Sequence, residues 1–147
     1  MTQSLLERAS AYATAKVLEA DGCVSRLPEA LQTVVVINTT QGIIDNGGLE
    51  YFYESDFPTN LPYSFFAEAF RRIGVESVAS CIDESSRMFP FPEPHLHEAK
   101  RRTWLDSVKD DEAHPFVHLS RKACGDELVF QKLAEYVDRH RDAFGAA

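Results

Sequence analysis

The chain has 147 residues and a formal net charge of −8, with 44% hydrophobic and 26% charged residues. This length fits one domain, residues 1–147, which can bury a core without disulfides or metal ions. Because the chain is strongly acidic, we expect neither nucleic acid nor an anionic membrane as a direct partner.

The first predicted element is an amphipathic helix over about residues 4–20. Ser4 and Glu7 have the spacing of a capping box, in which each side chain satisfies a backbone N–H of the other residue. Apolar residues then recur at helical spacing up to Gly22, which favours the end of a helix.

The next segment, residues 28–45, is compatible with two structures. Its β-branched run and the Asn46-Gly47 pair are typical of a hairpin that joins residues 33–44 to residues 49–54. Against the hairpin, a run of about 18 residues exceeds the usual length of a strand. The sequence Asn46-Gly47-Gly48 also suits the end of a helix, so helix is favoured but the hairpin stays open.

The rest of the chain has helical periodicity that is interrupted by glycine and proline. Further helices are predicted over residues 49–55, 63–73, 75–89, 96–108, 116–123 and 126–144. Residues 57–62 are predicted to form a loop, and residues 89–94 an extended segment on the surface, because their prolines cannot continue a helix. Seven or eight helices with short connections predict an all-α domain.

Charge is unevenly distributed along the chain. Residues 1–70 carry three basic and nine acidic side chains, whereas residues 71–147 carry twelve and fourteen. No Lys or Arg lies between Arg26 and Arg71, and a basic helix face is predicted at Lys100-Arg101-Arg102. The segment without basic residues combines aromatic rings with carboxylates, so it should supply core on one side and a negative surface on the other.

The sequence offers little catalytic chemistry, since the standard nucleophile, phosphate-binding and metalloprotease motifs are missing. His114 and His118 have the i, i+4 spacing of a metal-chelating pair, but His114 precedes Pro115 and so lies at a helix boundary. Cys124 has no fixed histidine partner and is interpreted as a structural residue. We therefore predict no catalytic residue, no metal and no cofactor.

The three cysteines, Cys23, Cys81 and Cys124, are far apart and form no C-x-x-C pair. This spacing argues against a disulfide framework or a zinc site and predicts free thiols. The first residues lack the basic and apolar segments of a secretory signal, and no run approaches about 18 apolar residues. We therefore expect a cytoplasmic protein.

The segment around residues 40–53 resembles the core motif of the DNA mimic protein 19 family, whose pattern is Asn-Gly-Gly-Phe, a spacer, Gln and two aromatics. An Ala-rich helix that ends in Ile-Gly-Ala completes that pattern, and residues 67–75 are similar to it. The resemblance continues through Phe89-Pro90, Trp104-Leu105 and the closing residues, so it covers about residues 30–144. The chain departs from the pattern at Leu49, Tyr51 and Ser55. The resemblance implies an all-helical bacterial protein and favours helix over hairpin.

The resemblance also implies a function, because the family's named member imitates duplex DNA and occupies a helix-turn-helix transcription factor. The candidate partner-binding residues in this chain are Asp45, Glu50, Glu54, Asp56 and Glu68. The candidate structural motif consists of Asn46, Gly47, Gly48, Phe52 and Tyr53. Duplex DNA carries about 20 charges per turn, so a chain of net charge −8 can imitate only a short phosphate track.

Several functions stay open at this point. The first hypothesis is a non-enzymatic, acidic protein-binding module for a basic protein such as a helix-turn-helix regulator, with DNA mimicry as its finer form. The second is an immunity or antitoxin-like inhibitor of a basic toxin. The third is an enzyme with an unrecognised site, and the fourth is a housekeeping fold without a dedicated acidic surface. A homodimer also stays open.

Overall fold

The structure is a computed structural model that describes residues 4–57 and 60–145. Over these residues the chain is all-α, without a strand, so the all-α prediction is confirmed and the hairpin is excluded. The helices are α1 Leu5–Glu19, α2 Glu29–Glu54, α3 Tyr63–Arg72, α4 Glu76–Ser86, α5 Glu98–Val108, α6 Pro115–Ala123 and α7 Leu128–Arg139. The predicted loop at 57–62 lies partly outside the described residues, at 58 and 59.

Helix α2 is the central element, since it packs against α1, α3, α5, α6 and α7. Val34, Ile37 and Ile44 are fully buried along it. Each buried aliphatic side chain of this kind contributes about 1.5–3 kcal/mol to folding, which exceeds the few tenths by which a β-branched residue disfavours a helix. Burial against several neighbouring helices therefore outweighs the strand propensity of this segment.

The aromatic residues of the second half of α2 form the centre of the core. Phe52 and Tyr53 are both fully buried. The Tyr53 ring packs against Tyr63 and Phe89 at centroid distances of 4.8 and 5.1 Å, and its hydroxyl donates to the Ile82 carbonyl at 3.0 Å. Burial raises the pKa of the Tyr53 hydroxyl, so this group stays a neutral hydrogen-bond donor.

The helices predicted over residues 28–45 and 49–55 form one helix, α2, and two other predicted helices end earlier in the structure. The last helix, predicted over residues 126–144, ends at Arg139, and the chain continues as a 3₁₀ turn at Arg141–Phe144. The His140 ring stacks on Tyr136 at 4.1 Å, with its Nδ1 2.7 Å from the Tyr136 carbonyl oxygen, and this local contact accompanies the break. The helix predicted over 75–89 ends at Ser86, which frees Phe89 to turn into the core.

The Ser4 capping interaction is present, because the Glu7 backbone N–H donates to Ser4 Oγ at 3.0 Å. This side chain replaces one of the intrahelical acceptors that the first turn of α1 lacks. The spacing of Ser4 and Glu7 therefore marks the start of α1 correctly.

Helix α2 is bent at Gly47 and Gly48, where the backbone leaves helical geometry. The bend divides α2 into a first part, residues 29–46, and a second part, residues 49–54. Gly48 has φ 75° and ψ −173°, a conformation that L-residues with a side chain rarely adopt. A Cβ atom at Gly48 would overlap the Ser120 hydroxyl of α6, and one at Gly47 would overlap the Tyr51 ring. Both glycines thus allow close packing at the bend.

Helix α6 and the turn that follows it hold both sides of this bend. The Leu49 backbone N–H donates to Ser120 Oγ at 2.9 Å, which caps the second part of α2. On the first part, the Cys124 thiol donates to the Ile44 carbonyl at 3.2 Å, and Gly125 N–H donates to Asp45 Oδ1 at 2.7 Å. The direction of the second part of α2 is therefore fixed by α6.

We expect Gly48→Ala to lower the free energy of unfolding by about 3 kcal/mol, because it combines a strained φ with overlap against Ser120. Gly74→Ala is the matched control, since Gly74 also has a positive φ but has open space around it. The control should cost only about 1 kcal/mol, from backbone strain alone. Urea unfolding of both variants measures the difference, and equal losses would contradict this account of the bend.

Candidate functional site

Arg101 connects α5 to the end of α2, and it is buried, with 1% of its surface exposed. Its guanidinium donates to the carbonyls of Tyr53 at 2.8 Å, Pro94 at 2.9 Å and Ser55 at 3.4 Å. These carbonyls include groups that the last turn of a helix leaves without partners, and a cation is favourable at that end. The predicted basic face at residues 100–102 is therefore wrong for Arg101, which points inward.

Arg102 extends this connection on the surface. Its guanidinium donates to the Glu54 carbonyl at 3.2 Å and to the Glu98 carboxylate at 3.1 Å. Two consecutive arginines of α5 therefore bind three consecutive carbonyls, those of residues 53–55. This arrangement fixes the position of α5 along the second part of α2.

Three adjoining depressions follow the contacts of α2 with α5 and, at the bend, with α6, and we call them together the acidic groove. The first, of about 330 Å³, lies at the bend and includes Asp45, Asn46, Glu50, Lys109 and Arg121. The second, of about 240 Å³, is lined by Glu54, Arg102, Leu105, Asp106 and Lys109. The third, of about 520 Å³, is lined by Tyr51, Glu54, Ser55, Asp56, Glu98 and Arg102. Shared lining residues make the three depressions continuous.

The acidic groove contains four of the five predicted partner-binding carboxylates, Asp45, Glu50, Glu54 and Asp56. The fifth, Glu68, belongs to α3 and lies 3.8 Å from Arg71, which also pairs with Glu76 at 2.8 Å and Asp83 at 2.6 Å. Glu68 does not line the acidic groove. The structure thus brings four of the candidates together and places Glu68 in a different ion-pair cluster.

Basic side chains from the second half of the chain reach these carboxylates. Lys109 lies 3.9 Å from Glu50 and 3.3 Å from Asp106, and the Arg101 guanidinium lies 3.6 Å from Asp56. A stretch of sequence without Lys or Arg therefore does not make a surface without them, because folding supplies cations from α5. Ion pairs with exposed partners are weak. They therefore partly neutralise the surface without fixing the charged side chains in one position.

The charged residues that α5 adds to the groove were not predicted as site residues. Arg102, Asp106 and Lys109 follow one another at spacings of four and three residues, which places them on one face of α5. That spacing is visible in the sequence. What the sequence could not indicate is that this face lies beside the second part of α2.

Glu50 is partly buried in the acidic groove, and its environment changes its ionisation. Burial raises the pKa of the Glu50 carboxyl, and the neighbouring Glu54 carboxylate raises it further, while Lys109 acts in the opposite direction. Asp45 differs, because its Oδ1 accepts hydrogen bonds from Gln41 Nε2 and Gly125 N–H, both at 2.7 Å. Asp45 therefore supports the bend as well as lining the groove.

The remaining candidate residues from the sequence have local structural contacts. His114 Nδ1 accepts from the Phe116 N–H at 3.1 Å, so His114 is the N-cap of α6. Burial, with Asp45 as a second cause, raises the pKa of the Cys124 thiol and so lowers its thiolate fraction. No group of three or more His, Cys, Asp or Glu side chains with metal-site geometry occurs in the described residues. None of the described helices is long and apolar enough to cross a membrane.

Fold and site together define an all-α domain with an acidic groove where a bent central helix meets α5 and α6. A family model described as DMP19-like protein matches residues 25–140, and the chain therefore belongs to this family. The resemblance noted in the sequence is thereby confirmed. Comparisons with curated proteins and with solved structures found no match.

We expect Arg101→Met to lower the free energy of unfolding by about 3 kcal/mol, because it leaves buried carbonyls without donors. Arg102→Met is the control on the next residue, whose side chain is 52% exposed, and it should cost less than about 1 kcal/mol. Denaturant unfolding provides both values. Comparable losses in the two variants would show that the buried contacts of Arg101 do not anchor α5.

We expect Glu50→Gln to stabilise the fold slightly at neutral pH. Since the folded-state pKa of Glu50 lies above the unfolded-state pKa, its ionised form destabilises the folded state. This penalty is present above the folded-state pKa and disappears as the pH falls below the unfolded-state pKa. Thermal unfolding across pH should therefore show a gain for Glu50→Gln that vanishes in acid. Glu84→Gln removes a carboxylate at an exposed position on α4, outside the groove, and is the matched control; an equal gain in this control would contradict the account of Glu50.

Proposed function

We propose that this protein is a non-enzymatic module that binds a basic surface of another cytoplasmic protein through the acidic groove. The observation that carries this proposal is the gathering of Asp45, Glu50, Glu54 and Asp56 along one groove. Carboxylates on a partly open surface attract a cationic partner over distances of about a Debye length. Such attraction increases the association rate and selects against acidic partners.

The net charge of the acidic groove is negative but small, so it would attract a basic partner with moderate strength. Six carboxylates and three cationic side chains line it, which gives a formal charge of −3. Arg102 and Lys109 stand between the acids, and their ion pairs with Glu98 and Asp106 restrict where the cations of a partner can sit. A partner must therefore match a pattern of charges, which supports specific rather than general binding to basic proteins.

The finer form of the proposal is that the groove imitates a short track of DNA phosphates and occupies the DNA-binding surface of a helix-turn-helix regulator. Between Glu50 and Glu54 the second part of α2 rises by about 6 Å, at about 1.5 Å per residue. A duplex of that length carries about four charges, two on each strand, at about one per 1.7 Å. The groove therefore resembles part of one phosphate strand, which suits a single recognition element of a partner.

A non-enzymatic role is favoured by the state of the nucleophile candidate in the groove. The raised pKa of the Cys124 thiol lowers its reactivity, and its S–H donates to the Ile44 carbonyl. The inhibitor of a basic toxin is the alternative that uses the same acidic groove. Competition by DNA separates the two, since a toxin that does not act on DNA need not bind it.

The test begins with a pull-down from the native cell and continues with the captured partner in a binding assay. We expect affinity to fall steadily as salt rises from about 0.1 to 1 M, because the Debye length shortens from about 10 to 3 Å. Glu50→Gln with Glu54→Gln should slow association about threefold to tenfold. Duplex DNA should compete for the partner if the groove imitates phosphates.

The matched control is Glu84→Gln with Glu127→Gln, which removes the same charge at exposed positions outside the groove. This control should bind the partner like the unmodified protein. Binding that ignores salt, the groove variant and DNA would exclude both the acidic interface and the mimicry. Salt-dependent binding that DNA does not disturb would retain the acidic interface and favour the inhibitor.

A further inference from the structure

A fourth surface depression, separate from the acidic groove, lies on another side of α5 and has a different chemistry. It measures about 470 Å³, and it is lined mostly by apolar atoms of Pro90, Phe91, Ala99, Thr103 and Trp104, with Lys100 and Ser107. We call it the aromatic groove. None of these lining residues is a carboxylate, so Lys100 gives the groove a positive charge, opposite in sign to that of the acidic groove.

The aromatic walls of this groove are held in place by the core. The Trp104 ring packs against Phe89 at 4.8 Å and Phe116 at 5.4 Å, and both of these rings are buried. Phe91 packs against Phe89 at 5.6 Å. Because its walls are already ordered, the groove can bind a ligand without losing much side-chain entropy.

The polar side chains of the aromatic groove differ in whether they already have a partner within the protein. The hydroxyls of Thr103 and Ser107 donate to carbonyls of their own helix, those of Ala99 and Trp104. Lys100 makes no ion pair with the described residues, and its Nζ lies over the Phe91 ring, 5.8 Å from the ring centroid. The groove therefore offers one cationic group, Lys100, on an apolar aromatic surface.

We propose that the aromatic groove binds an extended, proline-rich segment of a partner protein that carries an acidic residue. Polyproline II leaves its carbonyls free to accept, and proline has no N–H that would need an acceptor in the groove. Proline rings pack well on aromatic side chains, and the extended conformation costs little entropy to fix. Lys100 would pair with the acidic residue of the segment.

The protein's own proline segment, residues 90–94, is a poorer occupant of the aromatic groove. Glu93, between Pro92 and Pro94, has φ 49°, which is far from the polyproline II conformation. The Pro94 carbonyl is also engaged by Arg101 at 2.9 Å. A second copy of the chain would therefore have to rebuild this segment before it could dock, which favours a different protein as the partner.

The chain contains one tryptophan, so its fluorescence reports directly on the groove. The probe is a synthetic peptide, acetyl-Ala-Pro-Pro-Glu-Pro-Pro-Ala-amide, titrated into the full chain. We expect a saturable change in Trp104 fluorescence. A peptide with Lys in place of Glu should bind about fivefold more weakly, because it would repel Lys100. A peptide with Ala in place of every Pro should not saturate.

Lys100→Glu should reverse this preference, so that the Lys peptide binds about fivefold more tightly than the Glu peptide. Thr103→Arg places a long side chain at an exposed position in the groove and should weaken binding about tenfold or more. Lys109→Glu makes the same charge change on the other side of α5, in the acidic groove, and is the matched control. It should leave peptide binding unchanged.

This proposal is independent of the acidic interface, because Glu50→Gln with Glu54→Gln should also leave peptide binding unchanged. Absence of saturable binding, or binding that is indifferent to proline and to Lys100→Glu, would overturn it. Sedimentation of the chain alone tests whether a second copy of the chain occupies the groove. A dimer that Thr103→Arg dissociates would assign the groove to a second copy and would likewise overturn the proposal.

Discussion

The interaction on which most of the structure depends is the binding of Arg101 to the end of α2. A buried guanidinium is costly unless its donors are satisfied, and in this chain the satisfying groups are carbonyls of Tyr53, Ser55 and Pro94. The contact joins the central helix, α5 and the proline segment at one point. It therefore places Tyr53 in the core and brings the surface of α5 beside the carboxylates of α2. Both grooves depend on the resulting position of α5.

The bend at Gly47-Gly48 provides the second constraint. Without it, the residues after Asn46 would continue along the axis of the first part of α2. The bend redirects Glu50 and Glu54 toward α5, and Ser120 and Cys124 hold its two sides from α6. Asn46 is exposed beside the bend and makes no side-chain hydrogen bond to the described residues, so the fold gives no reason for its identity. It lines the acidic groove, through which we propose that the partner binds.

Local chemistry made much of the fold predictable. The Ser4 cap, the apolar periodicity and the positions of proline and glycine locate six of the seven α-helices that the structure describes, from neighbouring residues alone. The segment around Val34 and Ile37 was ambiguous because its intrinsic preference is for strand, and only burial by surrounding helices decides for helix.

The burial of Arg101 could not be predicted, for a related reason. Its neighbours Lys100 and Arg102 are exposed, and only the crossing of α5 over the end of α2 distinguishes it from them. The groove was half predictable: its acids on α2 follow from the sequence, whereas Asp106 and Lys109 join them through tertiary packing.

The central claim is that the partner binds along the contact between α2 and α5. The most direct measurement is backbone amide hydrogen exchange of the protein with and without the partner captured from the native cell. The account predicts added protection in residues 45–56 and 98–110, with little change in α1 and α7. Protection confined to α1 and α7, with exchange in residues 45–56 and 98–110 unaltered, would contradict it.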